Sequence, residues 1–220
     1  MMYLHEAPGI IGGDKQRSAK IVEDLAKRDP AKGWLARAFM AEEKGPRDKI
    51  EEYYRNAVAA DPRNAVAQAK YANALLKQTP PKLDLVERHA RLAKQLNSRQ
   101  IMPHVLLAVT YASAVRWSDL DTVLAEAEST IPDNPMPYFA AARVLVDQAK
   151  ELPRAESYLR KYLEQPPEAG APPHAHAYWS LGLLYEKLGR KTDAILQLEK
   201  AVSLSRDFEP ARKDLKRLRG

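Results

Sequence analysis

The chain has 220 residues, of which 45% are hydrophobic, with 35 Lys and Arg against 29 Asp and Glu and no Cys. The lack of Cys excludes disulfide scaffolds and cysteine catalysis, and an ordinary apolar fraction with a net charge of +6 excludes low-complexity disorder. No stretch approaches the roughly 20 consecutive apolar residues of a membrane-spanning helix, so we expect no membrane span. The length predicts one domain or two small ones.

The opening residues show no targeting signal. They lack the basic start and the apolar core of a secretory signal peptide. The doubled Met1-Met2 and the abrupt entry into Ala7-Pro8-Gly9 indicate that a longer native N-terminus has been trimmed. The compartment therefore stays open, and the chain is cytoplasmic, or periplasmic if a signal peptide once preceded this start.

The first predicted helix runs from Asp14 to Lys27. Asp14 follows Gly12-Gly13 and is a suitable N-cap, because a carboxylate is stabilised at the positive end of the helix dipole. Val22 and Leu25 lie on the apolar face of this helix, and Asp29-Pro30 marks its end. We interpret this helix as the second half of a helix pair whose first half is missing.

Five copies of a pattern of about 34 residues follow, at 31–64, 65–100, 101–134, 135–169 and 175–208. The eighth position of every copy is small, and the set is Ala38, Ala72, Ala108, Ala142 and Gly182. Two antiparallel helices approach closely only where a side chain is small, so each copy predicts one helix pair. The last copy is the strongest, with Gly189 at its predicted turn.

Proline marks the ends of several copies. Pro62, Pro132 and Pro167 stand where a second helix must stop, because proline cannot continue a helix. Arg206 takes this place in the last copy, so the chain is expected to continue more smoothly into a final helix, 209–220. Ala211, Leu215 and Leu218 form the narrow apolar stripe of that helix, which we interpret as a solubilising cap.

Over residues 31–208 these copies resemble the tetratricopeptide repeat family. The resemblance implies an all-α fold, a right-handed α-solenoid of antiparallel helix pairs with about 12 helices. Residues 1–220 would form one domain, with a lead-in and half-repeat at 1–30, five repeats and the cap. The segment from Ala7 to Gly13 also looks like part of certain bacterial tetratricopeptide proteins.

The resemblance also implies a groove lined by the first helix of each pair. The residues at its lining positions that we predict to contact a partner are Phe39, Lys70, Asn73, Met102, Val105, Leu106, Val109, Met136, Phe139, Arg143, Trp179 and Leu183. The middle of this set is apolar, which favours a buried protein or peptide partner. Two alternatives stay open: a homo-oligomer that fills the groove with its own copy, and burial within the same chain.

Residues suited to catalysis or cofactor binding are scarce. His174 and His176 lie two positions apart, on different faces of a helix, without clustered carboxylates, and we interpret them as a polar helix start. The chain contains neither a nucleophile elbow nor a phosphate-binding glycine loop. We therefore predict a non-enzymatic binding protein without metal or cofactor.

The basic excess belongs to the N-terminal half, where residues 1–110 hold 19 basic and 13 acidic residues. Part of it lies on one predicted helix, at Arg88, Arg91 and Lys94, a pattern that could also meet nucleic acid or anionic lipid. Since no nucleic-acid-binding motif accompanies these residues, we interpret them as a solvated face and expect no nucleic acid. Capture of acidic chaperone tails is also disfavoured, because apolar residues replace the Lys and Asn that the family uses for it.

Overall fold

The computed structural model describes residues 15–167 and 170–220, which form twelve α-helices, one short 3₁₀-helix and no β-strand. This confirms the prediction of an all-α fold with about twelve helices. The predicted helix start at Asp14, the segment 7–13 and the last two residues of the fourth predicted repeat lie outside the described residues.

Ten of the helices pack two by two at or near the spans predicted for the repeats, with one helix before them and one after them. The bounds are α1 Lys15–Arg28, α2 Pro30–Lys44, the 3₁₀-helix Arg47–Lys49, α3 Ile50–Ala60, α4 Ala65–Leu76, α5 Leu83–Leu96, α6 Ile101–Ser113, α7 Trp117–Thr130, α8 Met136–Gln148, α9 Leu152–Leu163, α10 His174–Lys187, α11 Lys191–Leu204 and α12 Glu209–Arg219. None of these helices is long and apolar enough to cross a bilayer.

The chain divides into two compact units, one up to Ser98 (unit 1) and one from Arg99 (unit 2). Unit 1 contains α1 to α5, and each helix packs on the next one along the chain. Asp29 caps α2 by accepting a hydrogen bond from the Lys32 amide at 3.0 Å, and Asn64 caps α4 in the same way from the Ala67 amide at 3.0 Å. These caps satisfy amides that a helix start leaves without partners, so both helices begin at defined residues.

A buried polar chain ties the α3–α4 connector to α5 in unit 1. Gln68 is 1% exposed and donates from Nε2 to the Pro62 carbonyl at 2.7 Å, which leaves its Oε1 to accept from Nδ1 of His89 at 2.6 Å. This arrangement assigns the proton of the neutral imidazole to Nδ1. Burial, with a smaller contribution from Arg88, lowers the pKa of His89 and so favours the neutral ring.

In unit 2, the first helices α6, α8 and α10 pack on one another in succession, and each also packs on its own second helix. Ala108 and Ala142, at the eighth position of their repeats, are 0% exposed, as close helix contact requires. At the same position in α10, a Cβ added to Gly182 would lie 2.7 Å from Cγ of Leu198. Only glycine therefore fits this helix pair without displacing its neighbour.

The turns of two repeats in unit 2 share one geometry but not one residue type. Gly189 follows α10 with φ of +72°, which confirms its predicted place in the turn, and Val115 follows α6 with φ of +60°. In both turns the next amide bonds back to the helix, Arg190 to the Tyr185 carbonyl at 2.8 Å and Arg116 to the Tyr111 carbonyl at 2.9 Å. A β-branched residue is strained in this left-handed region, where glycine is not.

Consecutive repeats of unit 2 are joined by carboxylates that bind a tyrosine and a cation together. Glu128 on α7 accepts a hydrogen bond from the Tyr138 hydroxyl of α8 at 2.8 Å and pairs with Lys161 of α9 at 2.5 Å. The hydrogen bond from Lys161, followed by that from Tyr138, lowers the pKa of Glu128. Because three helices meet at one carboxylate, the α8 face is held in a defined orientation between its neighbours.

The passage into α12 differs from the sequence prediction. Helix α11 ends at Leu204, and Ser205 is extended with φ of −144° and ψ of 96°, close to the values of Asp61 after α3. The expectation of a smoother passage at Arg206 is therefore wrong. Shortly after the break, the Phe208 ring packs on His176 at a centroid distance of 4.3 Å.

Candidate functional site

Unit 1 contributes three of the predicted groove residues. Phe39 on α2 and Lys70 and Asn73 on α4 are all half-buried. The Lys70 ammonium lies 3.9 Å from the Glu42 carboxylate, and both side chains keep part of their surface in solvent. Lys70 is thus a weakly paired cation that stays accessible.

In unit 2, some of the predicted apolar contact residues are half-buried and others are buried. Met102 and Val109 on α6, Met136 on α8 and Leu183 on α10 are half-buried, so each keeps some exposed surface. They occupy the second or ninth position of their repeats, which places them on the same face of packed first helices. We call these four residues the apolar face.

Three predicted contacts belong instead mainly to the core of unit 2. Leu106 is 1% exposed, Val105 8% and Phe139 9%, and the Phe139 ring packs on Tyr162 of α9 at a centroid distance of 4.9 Å. Leu106 is therefore closed to a partner in this structure, which corrects its place among the contact residues. Val105 and Phe139 expose only a small part of their side chains to a partner.

Trp179 of α10 lies between two other elements of unit 2. The guanidinium carbon of Arg143, on α8, is 4.7 Å from the centre of the Trp179 ring, and its Nη1 lies 3.4 Å from Oγ of Ser180. The ring of Phe208 meets Trp179 edge-on at 5.5 Å. Arg143 also lies 3.8 Å from the carboxylate of Asp147, a long ion pair whose acidic partner is mostly exposed.

The cap helix supplies a contact that sequence reasoning missed. Asp214 of α12 accepts a hydrogen bond from Nε1 of Trp179 at 2.8 Å and pairs with Arg217 at 3.1 Å. Arg217 in turn binds the carboxylate of Glu186 with both terminal nitrogens, and this lowers the pKa of Glu186. Asp214 follows Trp179 by 35 residues, about one repeat, but this spacing alone does not show that α12 docks on Trp179.

His176 completes this aromatic cluster, whereas His174 contacts another part of the chain. Its ring lies against Phe208, and burial together with the charge of Arg143 lowers its pKa. His174 is engaged elsewhere, with Nε2 2.8 Å from the carbonyl of Gln165. Within the described parts of the chain, no group of three or more His, Cys, Asp or Glu could hold a metal ion.

The basic residues predicted as a solvated face lie on α5. Arg88 and Arg91 are exposed, and Arg91 pairs with Glu87 one turn earlier on the same helix at 2.7 Å. Lys82 lies 4.0 Å from a carboxylate of α3, that of Glu51. Part of the positive charge is thus neutralised within unit 1.

A sequence model of the tetratricopeptide repeat family matches residues 175–208, the strongest of the predicted copies. The chain therefore contains a tetratricopeptide repeat. The match by sequence covers this repeat, which contains α10 and α11. The tetratricopeptide fold is a scaffold for protein–protein interaction, and proteins built from it are generally not enzymes.

Solved tetratricopeptide-like structures share the fold of the described chain. PilW, a type IV pilus biogenesis factor, has a TM-score of 0.70 and 18% identity over 94% of this chain and 93% of PilW. A tetratricopeptide repeat protein from Parabacteroides merdae has a TM-score of 0.65 and 16% identity over 93% of this chain and 78% of its own. At these identities the likeness concerns the fold alone.

A chain of the APC/C hetero-tetramer Cut9–Hcn1 has a TM-score of 0.66 and 18% identity over 94% of this tetratricopeptide repeat chain. This chain spans 40% of the length of that one. A comparison with proteins of curated function finds no match.

Proposed function

We propose that this tetratricopeptide repeat chain binds a segment of a protein partner on the apolar face of unit 2 and catalyses no reaction on it. The observation that carries the proposal is the partial exposure of Met102, Val109, Met136 and Leu183 on three packed first helices. Residues that hold the helix pairs together, such as Ala108, are fully buried. The apolar face therefore exceeds what the fold needs for its own packing.

The side chains of the apolar face suit an extended or helical peptide. Met102 and Met136 are unbranched and flexible, so they adapt to partners of different shape. Arg143 borders the apolar face, and its only carboxylate neighbour within the described residues is the long pair with Asp147. Its guanidinium can therefore bind a carbonyl or carboxylate of the partner while it packs on the face of the Trp179 ring.

Unit 1 offers further contacts of the same kind. Phe39 and Asn73 occupy the ninth position of their repeats, as Val109, Arg143 and Leu183 do in unit 2. Lys70 keeps an accessible ammonium beside Asn73 on α4. We include these three residues as a second set of partner contacts.

Two of the similar structures support a role in assembly. The Cut9–Hcn1 chain was solved as part of a hetero-tetramer, and PilW is a factor in pilus biogenesis. Both have the fold that this chain shares. The partner of this chain is nevertheless defined by its own exposed residues, since a fold does not set specificity.

The test compares two charge insertions in unit 2. Met136→Glu places a carboxylate on the apolar face, whereas Leu196→Glu places one on the second helix α11, where Leu196 is 54% exposed. Partners are captured with purified wild-type protein, identified, and their affinities for the three proteins measured by calorimetry. We expect Met136→Glu to weaken binding at least tenfold and Leu196→Glu to leave it unchanged, as burying an unpaired charge is costly.

Equal loss in both variants would refute the assignment of the apolar face. Sedimentation of the unliganded protein tests the self-association alternative. A dimer that Met136→Glu dissociates and Leu196→Glu does not would show that the apolar face binds a second copy of the chain.

A further inference from the structure

Unit 1 contains an open cavity that the proposed partner surface does not use. It has a volume of about 360 Å³ and lies among α1, α2, α3 and the Gly45-Pro46 connector. Val22, Met40 and Tyr53 supply much of its apolar wall, and Tyr53 is held in place by stacking on Trp34 at 5.8 Å. Ligand cavities span about 300–1,000 Å³, so this cavity suits a small ligand.

Two opposite charges line the same cavity, Arg37 from α2 and Glu23 from α1. The guanidinium carbon of Arg37 is 4.7 Å from the centre of the Trp34 ring, which holds the cation in one position. Among residues 15–167 and 170–220, neither Arg37 nor Glu23 forms an ion pair with the other or with a third residue. Both charges are therefore free to meet a ligand.

We propose that this cavity binds a free apolar α-amino acid in its zwitterionic form. The carboxylate of the ligand accepts hydrogen bonds from Arg37, its ammonium donates to Glu23, and its side chain lies against Val22, Met40 and Tyr53. A purely apolar ligand would leave both charges unused, and an internal peptide segment carries neither of the matching groups. The site lies within unit 1 and does not depend on the partner surface proposed in unit 2.

The size and the chemistry of the cavity favour a large side chain such as that of phenylalanine or leucine. A small side chain would leave the half-buried Met40 and Tyr53 in contact with water, and burial of apolar surface is the main source of affinity in such a site. Hydrogen bonds between charged groups then orient the ligand.

The experiment titrates the full chain with L-phenylalanine and follows the methionine methyl groups by NMR, with calorimetry as the measure of affinity. We expect the Met40 methyl to shift with saturation and a Kd of about 1 mM or below, from one buried side chain and two charged contacts. The Met136 methyl of unit 2 is the internal control and should not move.

Two blocked ligands and three variants define the contacts. N-acetyl-L-phenylalanine lacks the ammonium and L-phenylalaninamide lacks the carboxylate, and each should bind at least about tenfold more weakly. Arg37→Gln and Glu23→Gln should each weaken L-phenylalanine by a similar factor. Arg28→Gln, an exposed charge removal at the end of α1 outside the cavity, should have no effect. Circular dichroism establishes that each variant is folded.

Several outcomes would overturn the proposal. One is a Met40 methyl that does not move with L-phenylalanine up to about 10 mM. Another is equal binding of the acetylated ligand, which would identify the carboxyl terminus of a peptide instead. A shift of Met40 with protein concentration would reveal a second copy in the cavity, and nuclear Overhauser contacts from Met40 to residues 1–14 would reveal the chain's own start.

Discussion

The hydrogen bond between Trp179 and Asp214 makes the cap helix a measurable part of the fold. Trp179→Phe removes the indole N–H but keeps an aromatic ring against Arg143 and Phe208. Asp214→Ala removes the acceptor from α12. A double-mutant cycle with these two variants isolates the interaction, because the Asp214–Arg217 pair is lost equally on both sides of the cycle.

The magnitude follows from the environment of the two groups. A hydrogen bond to a charged group contributes about 1.5–3 kcal/mol to stability when it is well shielded from water. The Asp214 side chain is 19% exposed and Trp179 is half-buried, so solvent competes for both groups. We therefore expect a coupling free energy of about 1–1.5 kcal/mol, at or just below the lower limit of that range.

The cycle is measured by urea unfolding followed by circular dichroism, and hydrogen exchange of the α12 amides reports whether the cap opens before the rest. Asp214→Ala should raise exchange in α12 first, since a terminal helix opens at lower cost than a core one. Trp117→Phe, a matched change on α7, should show no coupling to Asp214→Ala. A coupling below about 0.3 kcal/mol between Trp179 and Asp214 would refute the reasoning.

Two other predictions concern unit 2. Burial, together with the charge of Arg143, holds the pKa of His176 below its usual value of 6.5, so below that pH the unfolded chain takes up the proton first. The free energy of unfolding should therefore decrease as the pH falls from 6.5 through the pKa of His176 in the folded chain. In urea unfolding at several pH values, His176→Phe should make this decrease smaller. An equal decrease in the variant and the wild type would contradict the prediction. In the two turns with positive φ, Val115→Gly should stabilise and Gly189→Val destabilise, each by about 1 kcal/mol in the free energy of unfolding. Unchanged urea midpoints in both variants would show that neither backbone is strained.

The number and the order of the helices could be predicted because each leaves a local pattern. Small residues at the eighth position, such as Ala108, mark the contact of each pair, and Asn64 and Asp29 mark helix starts through bonds to amides three residues on. The end of α11 could not be predicted in this way. Arg206 stands where other copies have a proline, and the neighbouring Phe208 packs on His176, 32 residues earlier in the chain.

The candidate site was only partly predictable. Lining positions assigned from the repeat register placed Leu106 and Met102 on one surface, yet Leu106 is 1% exposed and Met102 is half-buried. The register sets the direction of a side chain about its own helix, whereas its exposure depends on how closely the next first helix packs. The same limit hid Asp214, whose contact with Trp179 depends on the docking of α12.

By itself, the sequence of this tetratricopeptide repeat protein determined the helical period, the helix pairs and the scarcity of catalytic groups, because these depend on contacts within one repeat. The tertiary structure alone decided which residues of the predicted groove remain open and how the cap engages Trp179. It also brought Arg37 and Glu23 to one cavity. These features depend on packing between helices that are distant in sequence, and a local sequence pattern does not predict that packing.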